Sequence, residues 1–197
     1  SMVGLAPEQL DKYPHQLSGG QARRLGIARA LALEPDIIMA DEPTAGLDVS
    51  VAAGLLNLLQ DLRERLSLTY IVITHNLNVI GFISDRVAVM YLGRIVELAE
   101  AETLFESPQH PYTEALLSAI PIPDPRDCSR DDRIILTGEI PSPLNPPPGC
   151  TFHPRCRYAQ ERCKEEIPPL RPLATSPRWV ACHFPEKVKT QMERMTL

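Results

Sequence analysis

"HQLSGGQARRLGIARAL", residues 15–31, sets a serine and two glycines directly before a helix-forming run of Ala, Arg, Leu and Ile. Glycine is poor helix material, so a Gly pair at a helix start marks a place where something approaches the backbone closely. The first N–H groups of a helix lack internal partners, and with the helix dipole they favour an anion such as phosphate. Ser18 is placed to cap that helix and to offer its hydroxyl to the same anion. Taken alone, "SGG" also fits an ordinary capped helix with a flexible entry. The order of the surrounding segments decides between the two.

Composition narrows the choice first. With 197 residues, 44% of them hydrophobic, the chain can bury a core and a small second domain. Its 20 Lys and Arg against 25 Asp and Glu leave a net charge of −5, which provides no basic footprint for nucleic acid or an anionic membrane surface. The most apolar runs, "TYIVIT" and "RVAVMYLG", are too short to span a bilayer, so no membrane insertion is expected. The first residues show no basic and apolar leader pattern, and a cytoplasmic location is expected. Sixteen of the 20 prolines lie between Pro108 and Pro185, so the chain changes character near residue 107.

Before that point strand-like and helix-like segments alternate, the pattern of an α/β layer. "DIIMAD" (36–41) reads as a strand buried on both faces. The helix after it is capped by Asp48 or Ser50 and carries Leu55, Leu59, Leu62 and Leu66 along one face. "TYIVIT" (69–74) reads as the next buried strand, "NLNVIGFI" as a short helix, and "RVAVMYLGRIVELA" as a hairpin turning at Leu92-Gly93. Beyond 107, "PYTEALLSAI" predicts one helix and the remainder reads as loop. Asp41 and Glu42 fall at the carboxyl end of one strand and His75 at the end of the next, the edge where open α/β sheets bind ligands. Each signal is weak alone. A glycine-led helix, a strand ending Asp-Glu, "PTAGLD" and a strand ending in His, in that order, make a strong set.

These motifs closely resemble the nucleotide-binding subunit of ATP-binding-cassette transporters. "LSGGQ" (17–21) matches the signature motif, "IIMADE" the Walker B strand, "AGLD" (45–48) the D-loop and "THN" (74–76) the switch histidine. The resemblance implies ATP and Mg²⁺ as cofactors, with Asp41 holding Mg²⁺ through water and Glu42 polarising the attacking water. It implies that His75 contacts the γ-phosphate, that Asp48 belongs to the contact between two nucleotide-binding domains, and that Ser18, Gly19, Gly20 and Gln21 cap ATP held by a second, identical or homologous subunit. No G-x-x-x-x-G-K-[ST] phosphate cradle occurs, because none of the four lysines follows a glycine. The expected architecture is therefore the C-terminal portion of a RecA-like cassette over residues 1–107, inactive as an ATPase by itself, followed by an irregular Pro/Cys-rich extension over residues 108–197.

The stretches "SPQHPYTEALLSAIP" (107–121) and "GEIPSPLNPPPGCTFHPRC" (138–156) resemble the C-terminal extension of ATPases that power oligopeptide and dipeptide importers. This implies membrane-spanning permease partners and a place on the inner face of the membrane. Phe152, Tyr158, Trp179 and Phe184 give the extension something to pack. Cys150, Cys156, Cys163 and Cys182 are separated by five, six and eighteen residues, while Cys128 stands apart as a free thiol. Four clustered cysteines in a cytoplasmic protein suggest metal, but the intervals match neither the usual zinc nor the usual ferredoxin spacings. The family resemblance ranks a [4Fe–4S] cluster first, zinc second and uncoordinated thiols third, with His153 and His183 as substitute ligands.

Two other readings stand beside this one: a non-catalytic metal-binding or regulatory module, and an ATPase serving nickel or another small cargo. A DNA-repair or chromosome-structure ATPase shares the signature and Walker B motifs, but its coiled-coil heptads and basic faces are missing.

Overall fold

The computed structural model describes residues 2–120, 133–173 and 176–188. Cys128 lies outside them. The chain divides into two compact units, Ser1–Ile83 and Ser84–Leu197, and the change in composition near residue 107 falls inside the second.

The first unit is a parallel β-α-β layer. Helix α1 (Gly19–Leu31) begins at a capping box in which Ser18 Oγ accepts from Gln21 N at 3.3 Å and Gln21 Oε1 accepts from Ser18 N at 2.9 Å. Strand β1 (Ile37–Asp41) pairs in parallel with β2 (Thr69–Ile73), from Ile37 opposite Thr69 to Asp41 opposite Ile73. Helix α2 (Val49–Leu66) makes the crossover between them and ends where Ser67 takes a left-handed φ of 53°. Helix α3 (Leu77–Ile83) follows β2. Leu55, Leu56, Leu59 and Leu62 of α2 are buried, each contributing about 1.5–3 kcal/mol of apolar transfer. Leu62 packs with Val3, Ile38 and Leu68, and Leu56 and Leu59 pack with Val79 and Ile83.

Two expectations are corrected in this unit. Leu66, on the last turn of α2, is exposed, because the buried stripe ends one turn earlier. The strands are not buried on both faces: Ile37, Met39, Ile71 and Ile73 are exposed, since among the described residues the helices cover only the face that carries Ile38 and Tyr70.

In the second unit, β3 (Arg86–Tyr91) and β4 (Arg94–Glu100) form the expected antiparallel hairpin. Its two-residue turn has positive φ at both Leu92 (45°) and Gly93 (76°), the twist that suits a tight hairpin. Helices α4 (Ala101–Glu106) and α5 (Pro111–Ser118) follow, and the short α6 (Glu161–Glu165) lies farther along the chain. The extension is less irregular than its prolines suggest. Strands β5 (Arg171–Leu173) and β6 (Ser176–Val180) extend the hairpin into a sheet of order β3-β4-β6-β5. Proline is tolerated because β5 is an edge and Pro177 falls, with Arg178, where the β5–β6 register shifts.

Arg178 and Glu97 are almost wholly buried, at 4% and 0% exposure, so their partners decide whether the site is stable. Glu97 accepts from the backbone N–H groups of Gln109 at 2.8 Å and His110 at 3.0 Å. The Arg178 guanidinium lies 3.8 Å from that carboxylate and donates to the carbonyls of Thr103 and Ser107. Burial pushes the Glu97 carboxyl above its usual range despite these donors. The aromatic core centres on Phe152, whose ring stands 5.2 Å from Tyr91 and 5.4 Å from Tyr112. Trp179, expected to pack, is instead 42% exposed on the outer face of β6.

Candidate functional site

In the first unit, the parallel pairing brings the carboxyl ends of β1 and β2 to one edge. Glu42 N donates to Ile73 O at 2.8 Å, carrying the ladder one residue past β1, and Glu42 itself has a φ of 45°. That conformation is uncommon for a residue with a side chain. It occurs where the Glu42 carboxylate meets the end of the neighbouring strand. Oε1 accepts from His75 N at 3.1 Å and lies 2.6 Å from His75 Nδ1, while Oε2 accepts from Thr74 Oγ1 at 3.0 Å. The His75 side chain, followed by Thr74 and the His75 N–H, holds the Glu42 carboxyl below its ordinary range, outweighing the effect of burial. An ionised Glu42 can only accept, so the hydrogen in this contact sits on His75 Nδ1.

Thr74 has a part in the site that its sequence pattern does not assign. It accepts from Asn76 N at 3.1 Å as well as donating to Glu42, so it ties the strand end to the turn that opens α3. Its signal was its place immediately after the strand. Asp41 is exposed at the end of β1, beside Glu42. Asp48 caps α2: Oδ1 accepts from Val51 N at 2.9 Å and Ser50 Oγ at 2.7 Å, and these bonds keep its carboxyl below the usual range.

The glycines at the start of α1 have a packing reason that the sequence did not reveal. A Cβ on Gly20 would stand 2.6 Å from Val51 Cγ1, and one on Gly19 would stand 3.4 Å from Leu47 Cδ2. Arg23 donates to Ala45 O at 3.3 Å, so the head of α1 is docked on the 45–51 segment. Among the described residues, no hydrogen bond joins Ser18 or Gln21 to Asp41, Glu42 or His75.

The second unit contains a pocket lined by all four clustered cysteines, together with Phe152 and His110. Gly149, directly before Cys150, has a φ of 66°; a Cβ there would lie 2.5 Å from Cys163 O. That close approach permits the 2.8 Å bond from Cys150 N to Cys163 O. Burial, reinforced by neighbouring thiols, pushes Cys150 up, Cys156 up to about 11 and Cys182 up to about 12. Backbone N–H groups act in the opposite sense: those of Phe152 and His153 on Cys150, that of Tyr158 on Cys156 and that of Phe184 on Cys182, the last at 3.4 Å from Sγ. None of the four is joined in a disulfide.

His153 and His183 also line the pocket, but each commits one ring nitrogen to a backbone carbonyl, Cys150 O at 2.9 Å and Glu166 O at 3.0 Å. The His153 bond is local to the Cys150 turn, whereas that of His183 ties the segment of Cys182 to the one after Cys163. Among the described residues no three His, Cys, Asp or Glu side chains stand close enough to hold a single metal ion, so the expected centre is not preassembled as a one-ion site. No described helix is long and apolar enough to cross a membrane.

Two family models match parts of the chain. The family described as "ABC transporter" matches residues 1–45, and the one described as "Oligopeptide/dipeptide transporter, C-terminal region" matches residues 96–163. The Bacillus subtilis oligopeptide transport ATP-binding protein AppF is 52% identical over 92% of this chain and 55% of its own length. The Sinorhizobium fredii protein named "Probable peptide ABC transporter ATP-binding protein y4tS" is 55% identical over 92% of this chain and 50% of its own. The chain thus resembles ABC transporter ATP-binding proteins that carry the oligopeptide/dipeptide transporter C-terminal region. It spans about half the length of the curated relatives it matches, which are 50% and 55% covered.

Proposed function

We propose that this chain forms the C-terminal half of an ATPase subunit that couples ATP hydrolysis to peptide import. The observation that carries the reading is Glu42 bridging two strand ends to Thr74 and His75, at the ligand edge of a parallel sheet. Phosphoryl transfer is promoted chiefly by positioning and charge neutralisation. A carboxylate held below its ordinary pKa is a weak base but a fixed acceptor, suited to orienting a water rather than removing its proton early. His75 keeps that acceptor in place, and its second ring nitrogen remains to face a phosphate. Asp41, exposed beside Glu42, is of the right chemistry to hold Mg²⁺ through water, because Mg²⁺ sheds its hydration shell reluctantly. The metal ion supplies charge neutralisation to the phosphates when bound.

The backbone N–H groups at the head of α1 act on ATP bound by a second nucleotide-binding subunit. This agrees with their lack of any bond to Glu42 or His75 among the described residues. Asp48 lies in the contact between the subunits. Permease subunits supply the membrane path, and the assembly sits at the cytoplasmic face. Ser18→Arg in one subunit of the full-length pair tests the trans role: hydrolysis at the partner's site should stop while nucleotide binding at the mutated subunit's own site persists. Loss confined to the mutated subunit's own site contradicts it.

The cysteine pocket belongs to the same reading. Four thiols around one cavity, with backbone N–H donors to three of them, suit an anionic sulfur-ligated centre. The family resemblance ranks a [4Fe–4S] cluster ahead of zinc for this set. Cys150, Cys156, Cys163 and Cys182 would hold it, and it would cross-link loops that bury little apolar surface of their own.

A further inference from the structure

In the second unit, the outer face of the β3-β4-β6-β5 sheet is apolar across its whole width. Register sets Ala88 opposite Leu98, Leu98 opposite Trp179 and Trp179 opposite Pro172, so one row crosses all four strands. Paired residues of an antiparallel sheet share a face, and Met90 opposite Ile95 adds to the first row. Trp179 is 42% exposed, Met90 58% and Ile95 39%, whereas Val89, Arg178 and Val180, on the opposite face, are buried. Strands stand about 4.8 Å apart, so the face is roughly 14 Å across and offers on the order of 200–300 Å². Arg94, next to Ile95, and Arg171, next to Pro172, are exposed at its margin, and among the described residues neither forms an ion pair.

The same unit presents an element of matching chemistry. Between residues 135 and 148 runs a Pro-rich loop whose Ile135, Ile140 and Leu144 are 81%, 67% and 94% exposed, too exposed to be docked on the face of their own chain. Its tip is a turn in which Asn145 N donates to Ser142 O at 3.1 Å and Leu144 N to Ser142 Oγ at 3.3 Å. The turn and the prolines stiffen the loop, so it loses little entropy on docking, and Pro-rich segments dock on exposed aromatic rings. Glu139, next to Ile140, is exposed and forms no ion pair among the described residues, so it supplies the acid that Arg94 and Arg171 lack. We propose that the 135–148 loop of one copy docks on the Trp179 face of a second copy, and reciprocally, so that two equal contacts join the extensions of a symmetric pair. One such face stacked on its twin falls far short of the about 800 Å² per partner of a stable interface, whereas reciprocal docking has each copy bury both its face and its loop. The contact needs neither nucleotide nor metal.

Trp179 is the single tryptophan of the chain, so its fluorescence reports on this face directly. Without nucleotide, the chain is followed by sedimentation equilibrium and by acrylamide quenching up to about 100 µM, a range that suits a small interface. Wild type should pass from monomer to dimer while Trp179 becomes shielded in step. Leu144→Asp should stay monomeric with Trp179 open to the quencher, and Trp179→Glu should stay monomeric too. Mixed together, these two variants hold one intact loop and one intact face on different chains. A heterodimer should then form and shield the remaining tryptophan, at a concentration roughly tenfold or more above the wild-type midpoint because one of the two contacts is gone. Circular dichroism checks that each variant is folded, and Ile140→Asp replaces Leu144→Asp if that variant is not. Wild type that remains monomeric with Trp179 open to the quencher at about 100 µM overturns the proposal. A dimer whose two variants do not restore each other also overturns it, because that outcome marks face-to-face stacking. A monomer with a shielded tryptophan overturns it by placing the loop on its own face. Each of these failures leaves the ATPase reading standing, since the measurement involves no nucleotide.

Discussion

His75 and Glu42 are joined twice, through His75 Nδ1 at 2.6 Å and His75 N at 3.1 Å, both to the same carboxylate oxygen. The double contact couples the end of one parallel strand to the end of its neighbour. It also sets a sign for the pH response. Glu42 is held below the ordinary value of 4.5, so the contact is fully formed above that pH and is lost only as pH falls through the lower folded value. Carboxyl-detected NMR should place the Glu42 midpoint below 4.5, and Thr74→Val should move it upward. A midpoint at or above 4.5 contradicts the geometry.

Gly20 is held to its identity by packing. A Cβ there would come within 2.6 Å of Val51 Cγ1, a stiff branched side chain at the start of α2. Gly20→Ala should destabilise the chain by about 1–3 kcal/mol, as overpacking does. Val51→Ala should recover most of that loss when combined with it. Urea unfolding of the four proteins of this cycle measures the coupling, and strictly additive effects would show that the two residues do not meet.

Much of this was legible in the sequence, and the failures share a cause. The chain order of Gly-led helix, Asp41-Glu42 and His75, the α2 stripe through Leu55, Leu59 and Leu62, and the turn at Leu92-Gly93 are local patterns, and the structure keeps them. Strands β5 and β6 escaped because three- and five-residue segments containing Pro172 and Pro177 become strands only by pairing, β6 with distant β4 and β5 with β6. Gly20 against Val51, the bare face of Ile37 and Met39, and His110 at the cysteine pocket are likewise long-range relationships. Periodicity carries no information about which residue will lie across from another.

The cysteine pocket depends on Gly149 as much as on sulfur. Its φ of 66° disfavours any side chain, and a Cβ would lie 2.5 Å from Cys163 O and 2.6 Å from Lys164 C, both backbone atoms that cannot swing aside. Gly149→Ala should break the Cys150–Cys163 backbone bond, lower the melting temperature by several degrees and reduce anaerobic iron content to a minor fraction. Wild-type iron content and stability in this variant would show that the turn does not shape the pocket.

The central claim is that Glu42 orients the water that attacks ATP. Glu42→Gln preserves the size of the side chain and an acceptor oxygen but removes the charge. Measured in the full-length ATPase with its permease partners, ATP turnover should fall by about 10²-fold or more while stoichiometric ATP remains bound after gel filtration. Turnover within a few-fold of wild type, or loss of ATP binding along with turnover, would contradict the account.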